Sequence, residues 1–337
     1  MHERLGFGVV GINQRVRRSI LAGLAQSRRA RLAAIASRDP AKAAQTAKEF
    51  DCAAYPSLTA LLEDPSVEVV FICTPHHLHH PMALEALAAG KWVVCEKPLA
   101  VNVAQAEELV VAAERAGVPT AVNFTYHSLA GHRFVHRLLS ERTIGQLRHL
   151  HLTYWQARQK LPGAMPTDAL FDVGSHLLDL ACWWCDAGHA GAIRSIVGQE
   201  GGRDDAPPIW TALARTDTGA LLSIQADRVT AGWRNGMECR LVGDEGSIDL
   251  TYDTDAAEVR LARFGDGSPE GEARVLPIPP DLWVSYEAFP TLHLDRLAAA
   301  LQGDVDFPDF QYGLRVQRAL AAAQASSLEQ AFTAVVT

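Results

Sequence analysis

From Leu5 to about residue 122 short apolar runs alternate with stretches of helical periodicity, without an internal sequence repeat. The runs are Leu5-Gly-Phe-Gly-Val-Val10, Arg31-Leu-Ala-Ala-Ile-Ala36, Val67-Glu-Val-Val-Phe-Ile72 and Trp92-Val-Val-Cys95. Strands buried on both faces need such nearly continuous apolar runs, whereas half-exposed strands alternate. Between them, Val16, Ile20, Leu21 and Leu24 form one stripe of a helix over about 15–27, and further helices are predicted over about 78–89 and 103–116. Asp39-Pro40 reads as a helix cap with proline at the first helical position. Asn102 with Gln105 opens the 103–116 helix, and Gly117 ahead of Pro119 closes it. Strands alternating with helices in this way define βαβ units and a doubly wound parallel sheet.

Beyond residue 122 the period changes to two. Alternating stretches occur at 147–157, 192–199, 209–216, 220–229, 235–242 and 246–251, with turns such as Asp217-Thr-Gly219 and Gly243-Asp-Glu-Gly246. These predict a large, mostly antiparallel open sheet with one face left to solvent or a partner. Helices are predicted over about 168–186, 286–301 and 311–330. The fold class is therefore α/β: an N-terminal doubly wound Rossmann domain, 1–122, and a C-terminal α+β domain, 123–337. A length of 337 residues agrees with two domains at about 150 residues each. The net charge of −8 argues against a nucleic-acid or anionic-membrane partner. Six Cys, a polar N-terminus and no long apolar run point to a cytoplasmic protein without a membrane span.

Gly6-Phe-Gly8-Val-Val-Gly11 matches the dinucleotide pattern G-x-G-x-x-G letter for letter, but it lies inside the first strand. Phosphate-binding amides must sit at the turn from strand to helix, so the useful register is Gly11-Ile-Asn13-Gln14-Arg15-Val16. In that register Asn13 stands at the second glycine position, where Asn tolerates a left-handed conformation better than most residues but less freely than Gly, while Val16 replaces the third glycine. Ser37-Arg38 follows the second strand, where Arg suits the 2′-phosphate of NADP and an acid would suit NAD. Arg15 adds a second cation near the phosphates. NADP is thus the preferred cofactor, with NAD as the alternative.

Three patterns carry chemistry. Cys73-Thr74-Pro75 with His79 follows one strand, Cys95-Glu96-Lys97-Pro98 follows another, and Asp172-Val-Gly-Ser-His176-Leu-Leu-Asp179 places three polar side chains on one helical face. Together with Ala86-Leu-Ala-Ala-Gly-Lys91, these segments resemble the Gfo/Idh/MocA oxidoreductase family over nearly the whole chain. The resemblance implies that Lys97, Asp172 and His176 are catalytic and that Lys97-Pro98 is a cis peptide near the nicotinamide. Gly11, Asn13, Gln14, Arg15, Ser37, Arg38, Thr74, Pro75, His79, Glu96 and Lys97 would then bind cofactor. Lys97, Asn123, Tyr126, His127, Asp172 and His176 would meet substrate. The residue types fit these roles, since an ammonium stabilises alkoxide character, an imidazole exchanges the hydroxyl proton near neutrality, and a carboxylate orients it. Asp179 reads as structural. Many relatives carry Gly-Gly where this chain has Thr167-Asp168.

The implied activity is NAD(P)-dependent hydride exchange with a sugar, cyclitol or related polyol. A non-catalytic dinucleotide or sugar sensor and an NAD-dependent glycosidase are the alternatives. His76-His77-Leu-His79-His80 is not taken as a metal site, because no adjacent Cys or carboxylate completes it, and Cys182-Trp-Trp-Cys185 is read as two buried helix cysteines. The uncovered sheet face predicts a homodimer or homotetramer.

Overall fold

The structure is a computed structural model describing residues 4–157, 169–201, 209–254, 256–265, 271–329 and 333–335. The chain opens with β1 (Leu5–Val10), then α1 (Gln14–Val16), a π-helical turn Arg17–Leu21 and α2 (Ala22–Gln26) in one helical run. There follow β2 (Ala30–Ala36), α3 (Pro40–Phe50), β3 (Ala53–Tyr55), α4 (Leu58–Leu62), β4 (Val69–Ile72), α5 (His79–Ala88), β5 (Trp92–Cys95), α6 (Val103–Ala116) and β6 (Thr120–Val122). Next come α7 (Ala130–Ser140), β7 (Leu147–Trp155), α8 (Ser175–Ala187), β8 (Ile193–Gly201), β9 (Ile209–Thr216), β10 (Leu221–Asp227), β11 (Gly236–Gly243), β12 (Gly246–Asp253), β13 (Ala256–Arg263) and β14 (Arg274–Leu276). Two helices, α9 (Phe289–Leu301) and α10 (Phe310–Glu329), and the short β15 (Thr333–Ala334) complete it.

These elements divide into two compact units, Met1–Ser128 with Ser285–Gln317, and Leu129–Val284 with Arg318–Thr337. In the first, β1–β6 form a parallel sheet in the order β3-β2-β1-β4-β5-β6. β1 and β4 are buried along their whole length, as their apolar runs require. Gly6 and Gly8 belong to this packing rather than to a phosphate loop. A Cβ on Gly6 would collide with the Ser66 carbonyl, and one on Gly8 would lie 2.7 Å from Leu61. Asp39 caps α3 as predicted, accepting the Lys42 N–H at 3.0 Å, and Gly117 ends α6 at φ 62°.

A boundary at 122 does not describe this division. Leu294, Leu297, Ala298 and Leu301 of α9 are buried in the same core as Phe7, Val9, Leu21, Leu24 and Phe71. Gly23 lets α2 and α9 approach so closely that a Cβ there would sit 2.7 Å from the Pro290 carbonyl oxygen. Asp295 accepts the Arg28 and Arg29 N–H groups at 3.0 and 3.1 Å, closing the loop that follows α2. Each fully buried leucine contributes about 1.5–3 kcal/mol, so α9 is an integral layer of the unit.

The second unit holds a sheet of nine strands among the described residues, in the order β14-β13-β12-β11-β7-β10-β9-β8-β15. It is antiparallel except where β7 and β10 run parallel. α7 and α8 cover one face. Along β9, Trp210, Ala212, Ala214 and Thr216 point inward, whereas Thr211, Leu213 and Arg215 point away. α7 was not foreseen: Leu129 stands at its N-cap and offers no side-chain acceptor, so the usual start signal is missing. No helix among the described residues is long and apolar enough to cross a membrane.

Candidate active site

Because β1, β2, β4 and β5 are parallel, the loops 11–13, 37–39, 73–75 and 96–98 leave the sheet at one edge, flanking the point where the strand order reverses. Gly11 has φ 95°, and a Cβ there would lie 2.8 Å from the Cys73 carbonyl oxygen, so glycine alone fits without strain. Asn13 does not use its tolerance of left-handed geometry. Its backbone is extended, φ −136° and ψ 175°, and its Oδ1 accepts the Val16 N–H at 2.9 Å. The helix end supplies a donor with no partner inside the helix, and capping it is more favourable than a left-handed turn. Gln14 and Arg15 open the helix on its exposed side, and Val16 is buried beneath.

Arg38 is exposed and Ser37 half-buried beyond β2. Lys42 was not foreseen: from the first turn of α3 its ammonium donates to the Ile12 carbonyl at 2.6 Å, bringing a second positive charge to the glycine loop. Its helical position four residues after Arg38 hid that reach, which depends on where α3 packs. A backbone that only glycine fits, a capped helix start and these cations suit the phosphates of a nicotinamide dinucleotide.

Thr74 and Pro75 follow β4, and Glu96, Lys97 and Pro98 follow β5 with Lys97-Pro98 cis, as the resemblance implied. His79, expected at the cofactor, is buried, with Nδ1 2.9 Å from the Pro98 carbonyl oxygen and Nε2 3.0 Å from that of Thr74, so it lies between these two loops. Burial pushes its pKa down, against the pull of the two carbonyls. His80 pairs instead with Glu108, at 2.8 Å, so the neighbouring imidazoles serve different partners.

The Lys97 N–H donates to Glu96 Oε2 at 3.3 Å, and Glu96 Oε1 accepts from the Asn123 amide at 2.8 Å and lies 4.0 Å from Arg15. Asn123, expected at the substrate, is buried, and its oxygen is 2.6 Å from His293 Nε2, so both ends of its amide are committed inside the unit. His127 is likewise enclosed, its ring 5.7 Å from that of Tyr312 and 5.9 Å from that of Phe307, whereas Tyr126 is half-exposed.

In the second unit Asp172 lies in a π-helical turn, Leu170–Gly174, that runs into α8. Such turns shift the helical register and recur at functional sites. Asp172 Oδ2 is 3.3 Å from Arg228 Nε, a partner contributed by the chain just beyond β10 and not read from the sequence. His176 is 8% exposed and Asp179 fully buried, on the same helix as the buried thiols Cys182 and Cys185. Thr167 and Asp168 lie outside the described residues.

Comparison with known proteins gives this loop cluster its class. Residues 5–124 match the model of the oxidoreductase family with an NAD-binding Rossmann fold, so the chain is a nicotinamide-nucleotide-dependent oxidoreductase. Residues 132–249 match the GFO/IDH/MocA C-terminal domain, and with well over half its length covered the chain belongs to the Gfo/Idh/MocA family. It is 26% identical over 331 residues to levoglucosan dehydrogenase of Pseudarthrobacter phenanthrenivorans, with 84% of each chain covered. It is 31% identical over 311 residues to dTDP-3,4-didehydro-2,6-dideoxy-alpha-D-glucose 3-reductase of Streptomyces violaceoruber, covering 85% of this chain and 84% of that one. The crystal structure of an NAD binding oxidoreductase from Klebsiella pneumoniae superposes with a TM-score of 0.86 at 28% identity, covering 99% of this chain and 100% of that one.

Proposed function

We propose that this enzyme moves a hydride between NADP, in preference to NAD, and a secondary alcohol or ketone of a sugar, cyclitol or related polyol. The observation that carries the reading is Lys97, its main chain bonded to Glu96 at the edge of the sheet where the nucleotide loops emerge. The bound nicotinamide supplies the hydride acceptor or donor. The Lys97 ammonium hydrogen-bonds the reacting oxygen and stabilises its negative charge as the C–H bond breaks. The His176 imidazole takes the hydroxyl proton in oxidation and returns it in reduction. Asp172, itself paired with Arg228, orients that imidazole and favours its cationic form. The names of the two relatives matched over 84% of their own length, a levoglucosan dehydrogenase and a deoxysugar reductase, support a sugar as substrate. Steady-state turnover of a panel of hexoses, anhydrohexoses and cyclitols with NADP and NAD tests the reading. Reduction of nucleotide by at least one of them is expected, and free sugar released without nucleotide reduction would indicate a glycosidase instead.

The NADP preference rests on Ser37, Arg38 and Lys42. A charge-assisted bond to the 2′-phosphate is worth about 1.5–3 kcal/mol, so Arg38→Ala is expected to weaken NADP about tenfold or more and leave NAD nearly unchanged. Fluorescence titration with each nucleotide checks this, and equal losses for both would contradict it. The protein is further proposed to be a homodimer or homotetramer. Leu213 and Leu221, diagonal neighbours on the outward face of β9 and β10, are each 56% exposed and would be covered in such an assembly. Sedimentation is expected to show no monomer at micromolar concentration, and a purely monomeric profile would exclude the assembly.

A further inference from the structure

A chain of buried polar groups leads away from Lys97 into the first unit. Glu96 Oε1 meets the Asn123 amide at 2.8 Å, Asn123 Oδ1 lies 2.6 Å from His293 Nε2, and His293 Nδ1 lies 2.9 Å from Ser128 Oγ. Asn123, His293 and Ser128 are at most 2% exposed. Chemistry fixes the direction of every bond. An ionised carboxylate only accepts, so the Asn123 nitrogen must face Glu96 and its oxygen must face His293. That oxygen needs a donor, which makes His293 Nε2 the protonated nitrogen. Burial, with the charges of Arg296, Arg15 and His127 nearby, pushes the His293 pKa down to about 3, so the ring is neutral near physiological pH. Its Nδ1 is then bare and accepts the Ser128 hydroxyl. The other Glu96 oxygen accepts the Lys97 N–H, so the carboxylate is held from both ends.

We propose that His293 is a positioning residue for the Lys97 site, acting through Asn123 on the Glu96 carboxylate. The inference rests on the catalytic reading of Lys97 above. An apolar side chain at 293 would pack against the stacked ring of Phe289 and against Phe307 without the desolvation that a buried polar chain costs. What the imidazole adds is one donor at one place, and the chain it feeds ends beside Lys97.

Two substitutions in the full-length protein separate positioning from packing. In His293→Gln the side-chain nitrogen reaches the place of Nε2 and can still donate to Asn123. In His293→Asn the shorter amide reaches only the place of Nδ1, keeping Ser128 and losing Asn123. The asparagine variant is expected to lose about tenfold or more in kcat, the size of one buried hydrogen bond, with little change in KM, and the glutamine variant to recover most of that loss. A readout independent of turnover uses the nucleotide-free protein. The Asn123 side-chain amide protons should exchange slowly in the wild type and in His293→Gln, and about tenfold faster in His293→Asn. Imidazole ¹⁵N shifts in the wild type should show the Nε2–H tautomer throughout about pH 5 to 8. Equal exchange in the two variants, or an Nδ1–H tautomer in the wild type, would overturn the proposal. Absence of turnover with any sugar, alongside the expected exchange and tautomer, would count against the substrate reading and leave the hydrogen-bond relay intact.

Discussion

Lys97→Ala is expected to lower kcat by about 10²–10³-fold while nucleotide affinity stays close to that of the wild type. The size follows from the proposed role. One preorganised cationic donor aimed at a developing alkoxide acts in the transition state far more than in the ground state, so its removal falls on kcat. Nucleotide affinity should survive because the groups proposed to meet the phosphates, Gly11, Arg15, Arg38 and Lys42, lie outside the 96–98 loop. Stopped-flow absorbance for turnover and fluorescence titration for binding separate the two quantities. Loss of nucleotide binding in parallel with kcat would make Lys97 a cofactor ligand instead. Lys97→Arg is a useful companion, since a planar fork does not replace a compact ammonium at a single oxygen.

His176→Asn should cost about 10²–10⁴ in kcat, the range for a general acid or base, again with little effect on nucleotide affinity. The side chain stands on α8, directly after the π-helical turn that carries Asp172 and within a helix whose other faces are packed in the core. An asparagine retains hydrogen bonding but cannot exchange a proton, so the pH dependence of kcat due to this group should vanish with it. Asp172→Asn should be milder, because the Arg228 guanidinium would face a neutral amide while the imidazole remains. If His176→Asn turned over at the wild-type rate, the proton transfer would have to be assigned to another group.

What the sequence disclosed was local. The buried runs of β1 and β4, the Asp39 cap and the Gly117 stop depend on neighbours within a few residues, and each stands where its pattern puts it. The cis bond at Lys97-Pro98 followed from the family resemblance. What it hid depends on residues far apart in the chain. The helical stripe of α9 is legible, but nothing in the stripe says that it fills the core of β1 and α2. Lys42, Arg228 and His293 acquire their partners from segments distant in sequence, so spacing could not reveal them. Asn13 shows a limit of pattern matching, because a residue tolerant of left-handed geometry is also a good helix cap, and the Val16 N–H, which has no partner within the helix, decided between the two.

The most direct measurement is a single-turnover experiment in which nucleotide-loaded protein is mixed with sugars, cyclitols and their ketones while reduced-nicotinamide absorbance is followed. The expected result is one equivalent of nucleotide oxidised or reduced per protein chain with at least one of these compounds, and loss of that signal in Lys97→Ala at equal nucleotide occupancy. Full occupancy with no absorbance change in either direction, or an undiminished signal in Lys97→Ala, would contradict hydride transfer assisted by this lysine.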